Sequence, residues 1–473
     1  MPSNGLIDAD SQSLNAMEVK ARVARALISI LSEKCEAYCM LSGYERLPDS
    51  YDSDIDFMIG QKDFERMPAL IAEVARSSNT QLFLSVEHEI NARAYYLASL
   101  SGPELTFVQP DSTSNYRHFG SLWLRSAEVL AGRRWCARGF WIPSAAHEFA
   151  YYLIKRLNKR DFGQEHAARL HRLYAEDNRG CDLMIARFWS GRQARSLSRM
   201  ADSNDWAEMY LTLESFRKTL KQTSAETFLQ KVASTPRGAL HLLGRIVRPT
   251  GGWIALMGPD GCGKSSIIDG IREQYTFAFR DVQCFHMRPK LLRRKSQTAT
   301  VVTNPHGQPP RGTIASVAKA LFLLADYFLG YVLRIIPALG RTHLVIFDRY
   351  IYDLLVDSKR VRYGGPLWLL RLVARVVPRP DLVILLDAPA EVLWSRKQEV
   401  PFEEVVRQRA AYLQVVSNLS SAIVVNAAQT VPEVIRDVNR SIVEHFSRRT
   451  ADRLGLPISP LPTGAIERDH SGN

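Results

Sequence analysis

Residues Gly258-Pro259-Asp260-Gly261-Cys262-Gly263-Lys264-Ser265 follow the apolar run Trp253 to Met257 and fit the pattern G-x-x-x-x-G-K-[ST]. Such a loop, set between a strand and a helix, turns backbone N–H groups toward phosphate oxygens. The glycines permit the turn, Lys264 brings a point charge to the terminal phosphates, and the Ser265 hydroxyl suits a Mg²⁺ ligand. Ser266-Ile267-Ile268-Asp269-Gly270-Ile271 continues with helical spacing, which puts bound phosphates at a helix N-terminus. Gly258, Gly261, Gly263, Lys264, Ser265 and Ser266 are therefore the expected ATP-binding residues.

Short apolar runs alternate with helical stretches around this loop. Trp253 to Met257, Val282 to Phe285, Leu344 to Phe347, Leu382 to Leu386 and Ala422 to Val425 read as strands buried on both faces. The expectation is an α/β domain over 249–449 with a doubly wound parallel sheet. Upstream, a helix over Ala16 to Glu36 precedes strand candidates at Tyr38 to Leu41, Asp54 to Ile59, Gln81 to Val86, Ala94 to Leu97 and Leu105 to Gln109, an α+β domain over 1–140. Residues 141–248 read as a helical middle region, and the Pro-rich stretch 450–473 as a disordered tail. No internal repeat is evident.

Two further strands of the 249–449 domain end in acids: Leu344-Val345-Ile346-Phe347-Asp348-Arg349-Tyr350, and Pro380-Asp381-Leu382 to Asp387-Ala388-Pro389. Ligands in such sheets lie beyond the carboxyl ends of the strands, so Asp348, Arg349 and Asp387 converge on the phosphate loop. With the loop, these segments resemble the thymidylate kinase family of P-loop kinases over roughly Trp253 to Phe446. The resemblance implies that Lys264 and the loop amides hold ATP and that Ser265, Asp348 and Asp387 serve Mg²⁺. Asp260 would accept a hydrogen bond from an acceptor sugar hydroxyl, and Arg349 would bind the acceptor's phosphate. Arg288 and Tyr350 are further acceptor-site candidates. Arg396 is the candidate lid arginine, or else part of a solvated helix face. Lys264, Asp348, Arg349 and Arg396 make up the expected catalytic set. The stretch Ile351 to Gly365 departs from the family pattern, which leaves thymidylate itself open as the acceptor. Lys359, Arg360 and Arg362 there suit a different phosphorylated or sugar-containing acceptor, or a basic solvated loop.

In the first 140 residues, Met40-Leu41-Ser42-Gly43 followed by Ser53-Asp54-Ile55-Asp56-Phe57 resembles the minimal nucleotidyltransferase signature. Strand alternation places Asp54 and Asp56 on one face, where they suit a divalent metal and nucleotide phosphates. The resemblance implies a third acid from a later strand. In Pro103-Glu104-Leu105-Thr106-Phe107, Thr106 stands where that acid is expected and Glu104 lies one pleat away. Ser42, Gly43, Asp54 and Asp56 form the candidate second site, active or degenerate.

The net charge of +12 is spread along the chain without a nucleic-acid signature, so phosphorylated small molecules are the expected partners rather than nucleic acid. The six cysteines lack metal-ligand pairing, and the N-terminal residues lack a leader pattern. A reducing, cytoplasmic setting follows. The apolar segment Ala318 to Leu339 is interrupted by Asp326 and Arg334 and closed by Pro337, as expected of a core helix rather than a spanning one. His88, His118 and His147 are isolated. The leading function is ATP- and Mg²⁺-dependent phosphoryl transfer to a nucleoside monophosphate, nucleoside or sugar-type acceptor, with a second nucleotidyl transfer activity open and a homodimer open. Two alternatives stand beside it: an ATP-binding switch or scaffold, and a nucleic-acid end-processing enzyme.

Overall fold

A computed structural model describes residues 4–51, 54–89, 91–101, 104–118, 121–222, 244, 248–291 and 311–457. Ser53, Pro103 and the 458–473 part of the expected tail lie outside the described residues. Contacts divide the chain into two units, one of Met1–Ser99, Thr106–Leu240 and Thr450–Asn473, the other of Leu100–Leu105 and His241–Arg449.

The first unit runs α1 (Asn4–Lys34), β1 (Tyr38–Ser42), β2 (Asp54–Ile59), α2 (Gln61–Ser77), β3 (Gln81–Glu89), β4 (Ala92–Ser101) and β5 (Glu104–Thr113). It continues with the hairpin β6 (Asn115–His118) and β7 (Ser121–Arg125), α3 (Ser126–Ala131), and the short pair β8 (Arg134–Cys136) and β9 (Phe140–Ile142). Five helices follow: α4 (Ala145–Lys159), α5 (Gln164–Glu176), α6 (Asn178–Phe188), α7 (Gly191–Ser203) and α8 (Ala207–Gln222). The main sheet has the order β1-β2-β5-β4-β3, with β2 and β5 parallel. Period-two alternation sorts the strand residues between two cores. Tyr38, Met40, Ile55, Phe57 and Ile59 join α1 and α2, whereas Cys39, Leu41 and Met58 join Phe149, Tyr151, Leu153 and Ile154 of α4. Asp54 and Asp56 have the parity of Met58 and therefore face α4. Helices α4 to α8, the described part of the region expected as helical over 141–248 that precedes Leu240, fall in the same unit as these strands, and α4 shares a core with them.

The second unit runs β10 (Gly252–Met257), α9 (Lys264–Tyr275), β11 (Val282–His286), α10 (Thr313–Gly330), a π-helical turn (Tyr331–Ile335), α11 (Ile336–Gly340) and β12 (Leu344–Asp348). Then come α12 (Asp353–Val356), a 3₁₀ turn (Lys359–Val361), α13 (Leu367–Val376), β13 (Leu382–Asp387), α14 (Ala390–Arg396), α15 (Phe402–Ser417), β14 (Ala422–Asn426) and α16 (Val431–Leu454), of which the residues up to Arg449 count in this unit. All five strands are parallel, in the order β11-β12-β10-β13-β14. Trp253, Ala255, Met257, Val345, Phe347, Val383 and Leu385 pack on one face against Leu323 and Tyr327 of α10 and Leu370 and Val373 of α13. Ile254, Leu256 and Ile346 are buried on the other face, where α9 contacts β12 and Phe446 of α16 lies close over Gly252. Full burial of each such side chain contributes about 1.5–3 kcal/mol. The chain travels from β10 to one edge, then crosses to β13 on the other side, so β10 ends at the switch point where this architecture binds ligands.

Helix α16 continues through Thr450 to Leu454, past the start of the expected tail. The stretch Thr313–Gly340 is, among the described residues, one helix long and apolar enough to cross a membrane by length and composition, with 33% of its most apolar window buried. Ala320, Leu323 and Tyr327 on it belong to the core of the second unit.

Candidate active sites

The loop between β10 and α9 takes its shape from glycines. Gly258 sits at φ 146° and Gly261 at φ 87°, and a Cβ on either would come within 2.6 Å of a backbone carbonyl oxygen, that of Leu386 or Leu393 respectively. Lys264 Nζ donates to the carbonyl oxygens of Gly258 at 2.8 Å and Pro259 at 2.9 Å. A cavity of about 730 Å³ opens beside the loop and is lined by Asp260, Gly261, Gly263, Lys264, Ser265 and Ser266, together with His286, Asp348, Arg349, Arg360, Arg362, Arg396 and Lys397. Most of the phosphate-binding candidates thus share one space with the acceptor-binding candidates Asp260 and Arg349.

At the end of β12, Arg349 adopts φ 67°, uncommon for a residue with a side chain, and its N–H donates to Leu256 at 2.9 Å. This turns the guanidinium under the loop, where it is 5% exposed and bonds Asp260, Asp353 Oδ1 at 3.2 Å and Tyr412 Oη at 3.1 Å. Asp260 also receives Arg360 Nη2 at 2.5 Å. Burial would raise the Asp260 pKa, but Arg349, Arg360 and Lys264 hold it down at about 2. Asp348 accepts from or shares a proton with His286 Nδ1 at 2.9 Å through Oδ2, while its Oδ1 is buried with no partner. Burial pushes the Asp348 carboxyl up, and the hydrogen bond and charge of His286, with Lys264 and Arg349, bring it below the usual carboxylate range.

The thymidylate kinase family model matches residues 256–438, wholly inside the second unit. A probable thymidylate kinase of Thermococcus onnurineus (strain NA1) is 30% identical over 207 residues, which cover 97% of that protein and 41% of this chain. The chain belongs to the thymidylate kinase family. A thymidylate kinase of Limosilactobacillus fermentum (strain NBRC 3956 / LMG 18251) is similar at 29% identity over 219 residues, 97% of its length and 42% of this chain. A crystal structure of thymidylate kinase from Ehrlichia chaffeensis aligns over 97% of its own chain and 40% of this one at 16% identity, with a TM-score of 0.28 too low to carry weight. The second unit is a P-loop kinase, and its chemistry at family level is thymidylate kinase-like phosphoryl transfer.

Other sequence candidates of this kinase fall in different places. Arg396, the last residue of α14, lines the cavity while Nη1 donates to the carbonyl oxygen of Ala427 at 2.8 Å. Arg288 bonds fully buried Asp326 at 2.7 Å and covers the Phe322 ring; it is not among the cavity's lining residues. Tyr350 is 1% exposed, donates to the Pro378 carbonyl and packs among Trp253, Phe347 and Tyr327, so its ring belongs to the core. Asp387 is forked by Arg409, with both bonds at 2.9 Å, and does not line the cavity either. His286 and Lys397 were missed by sequence reasoning, since a histidine one residue past an apolar run carries no signal without its spatial neighbour.

The first unit of this thymidylate kinase-family chain brings Ser42, Gly43, Asp54 and Asp56 together. Ser42 Oγ donates to Asp56 Oδ2 at 2.8 Å, and Gly43 and Asp54 line an adjoining cavity. The third acid is neither Thr106 nor Glu104. Strand β5 continues through Pro110 to Thr113, and its parallel register sets Asp111 opposite Asp56 and Gln109 opposite Asp54. One carboxylate oxygen from each of Asp54, Asp56 and Asp111 lies within 4.8 Å of the other two. Pro110 concealed this, because proline has no N–H for a ladder and usually marks a strand's end. Burial, then Asp56 and Asp54, push the Asp111 carboxyl up to about 7. Burial raises the Asp56 pKa, but Lys155 of α4 at 2.5 Å, the Ser42 hydrogen bond and Lys159 together lower it, and Tyr151 Oη adds a 3.4 Å bond. Three carboxylates gathered in this way offer the hard oxygen donors that a divalent cation takes.

Proposed function

We propose that the second unit transfers the γ-phosphoryl group of ATP to a small acceptor, a nucleoside monophosphate, nucleoside or sugar-type molecule. The supporting observation is that Lys264, Ser265 and Ser266 line one cavity together with Asp260, Arg360 and Arg362. Lys264 and the loop N–H groups hold the triphosphate at the N-terminus of α9. Asp260, kept ionised by its two arginines, accepts a hydrogen bond from an acceptor hydroxyl. Arg349 bonds Asp260, Asp353 and Tyr412 and so positions the carboxylate, while Arg360, which also bonds Asp260, and Arg362 line the same cavity and offer their remaining donors to the acceptor. The acceptor oxygen bonds to the γ-phosphorus as the bridging P–O bond breaks, ADP departs with the electron pair, and the proton of a hydroxyl acceptor passes to water. Arg396 and Lys397 stabilise charge on the moving group. The Ser265 hydroxyl and the unpartnered Asp348 Oδ1 fit hydrated Mg²⁺, which when bound neutralises phosphoryl oxygens. A panel of thymidylate, other nucleoside monophosphates, nucleosides and sugars with ATP and Mg²⁺ tests this; ATP binding without turnover of any of them would refute it.

Asp111 opposite Asp56 favours a second activity in the first unit, divalent cation-dependent nucleotidyl transfer. Asp54, Asp56 and Asp111 would hold the cation. The reading requires that Asp111→Asn abolish pyrophosphate release from nucleoside triphosphates, measured in a Lys264→Ala background; unchanged release would remove it.

A further inference from the structure

Away from its cavity, the second unit exposes an apolar face. On α10 and the π-helical turn after it, Ile314, Ala318, Leu321, Ala325, Phe328 and Val332 recur at helical spacing and are all exposed, Ile314 at 88%. At 1.5 Å per residue this row runs about 27 Å along the helix without a polar side chain. The other side of α10, with Ala320, Leu323 and Tyr327, belongs to the core. Helix α13 touches α10 on the same face of the sheet and adds a second exposed row, Trp368, Leu372 and Val376, with Trp368 at 64%. Apolar rows on two touching helices mark a surface that meets something other than water.

The charge of these helices has one sign at the surface. Asp326 is the one acid between Thr313 and Gly340, and it is fully buried against Arg288 at 2.7 Å. Residues 366–380 hold no acid. Arg371 and Arg375, one turn apart on α13, are exposed beside its apolar row, and Arg379 is exposed just past the helix. Leucine, phenylalanine and tryptophan on one surface with arginines beside them match a helix pair that lies in the boundary between lipid head groups and acyl chains.

We propose that this face docks on the surface of an anionic phospholipid bilayer, the apolar rows entering the acyl boundary and the arginines of α13 meeting lipid phosphates. Charge complementarity selects this occupant. A twofold-related copy would bring the same apolar rows and the same arginines, with no exposed acid from either helix to meet them. Because Ala320, Leu323 and Tyr327 are packed in the core, α10 meets lipid along one side and lies on the bilayer instead of crossing it.

Co-sedimentation of the full-length protein with vesicles of phosphatidylcholine and phosphatidylglycerol in equal parts tests the proposal. Binding is expected, about tenfold weaker on phosphatidylcholine alone and in high salt. Leu321→Glu with Phe328→Glu should reduce it to background, and Arg371→Glu with Arg375→Glu, which leaves the apolar rows intact, should weaken it about tenfold. All four residues are exposed and none lines the kinase cavity, so an unchanged circular dichroism melt and unchanged ATP-analogue binding are expected and separate lost docking from lost folding. Failure to sediment with the anionic vesicles, equal binding to neutral ones, or binding indifferent to either pair of substitutions in a folded variant overturns the proposal. A dimer seen by light scattering that Leu321→Glu with Phe328→Glu dissociates overturns it as well, since a second copy then covers the face.

Discussion

Asp260 in the phosphate loop is gripped by Arg349, whose backbone N–H is bonded to the carbonyl of Leu256 on the strand that feeds the loop. The residue expected to touch the acceptor and the residue that aims it are thus fixed to the same strand end. Because Asp353, 2% exposed, and Tyr412 share that guanidinium, Arg349→Lys leaves a buried carboxylate poorly paired. A loss of about 2–4 kcal/mol is expected in denaturant unfolding, with the acceptor KM raised more than the ATP KM. Unaltered stability would show that Arg349 does not brace the site.

Gly258→Ala should damage the loop directly. The new Cβ would meet the Leu386 carbonyl at 2.6 Å from a backbone at φ 146°. Fluorescent ATP-analogue binding should weaken at least tenfold, with a stability loss of about 1–3 kcal/mol. Full retention of both would mean that the loop tolerates a side chain there.

Asp111→Asn removes one of three clustered carboxylates. In chelator at pH 8, the melting temperature should rise by a few degrees, since like charges are separated less unfavourably when one is neutral. The gain in melting temperature that the wild type shows on adding Mn²⁺ should shrink. Thermal scans with and without metal measure both, and a wild type indifferent to Mn²⁺ would speak against the cation site.

His147 predicts a pH effect of definite sign. Burial lowers its pKa, its Nδ1 lies 2.8 Å from Ser144 Oγ, and its Nε2 is buried without a partner. The unfolded chain takes up a proton near the ordinary histidine value of about 6.5, before the folded chain does. Stability from this group is complete above that pH and falls as the pH drops below it. His147→Asn should therefore flatten part of the decline in melting temperature between pH 7 and pH 5; a parallel decline in both proteins would exclude His147 as its source.

Much of the kinase unit could be read in advance because its information is local. The five apolar runs became β10 to β14 within a residue or so, and the loop glycines marked the switch point. Partners across the chain could not be read this way. Arg360 meets Asp260 and His286 meets Asp348 only through folding, and Tyr350, adjacent to Arg349 in sequence, alternates into the core. In the first unit, Asp54 and Asp56 were legible from strand alternation, whereas Asp111 lay beyond a proline that reads as a strand end.

The most direct test of phosphoryl transfer is the steady-state rate of ADP formation with ATP, Mg²⁺ and the acceptor panel, compared between wild type, Lys264→Ala and Asp260→Asn. Acceptor-dependent turnover is expected in the wild type, reduced at least a hundredfold by Lys264→Ala; Asp260→Asn should raise the acceptor KM with a smaller effect on that of ATP. ADP formation that is independent of every acceptor, or that survives Lys264→Ala, would contradict a two-substrate kinase site built on this loop.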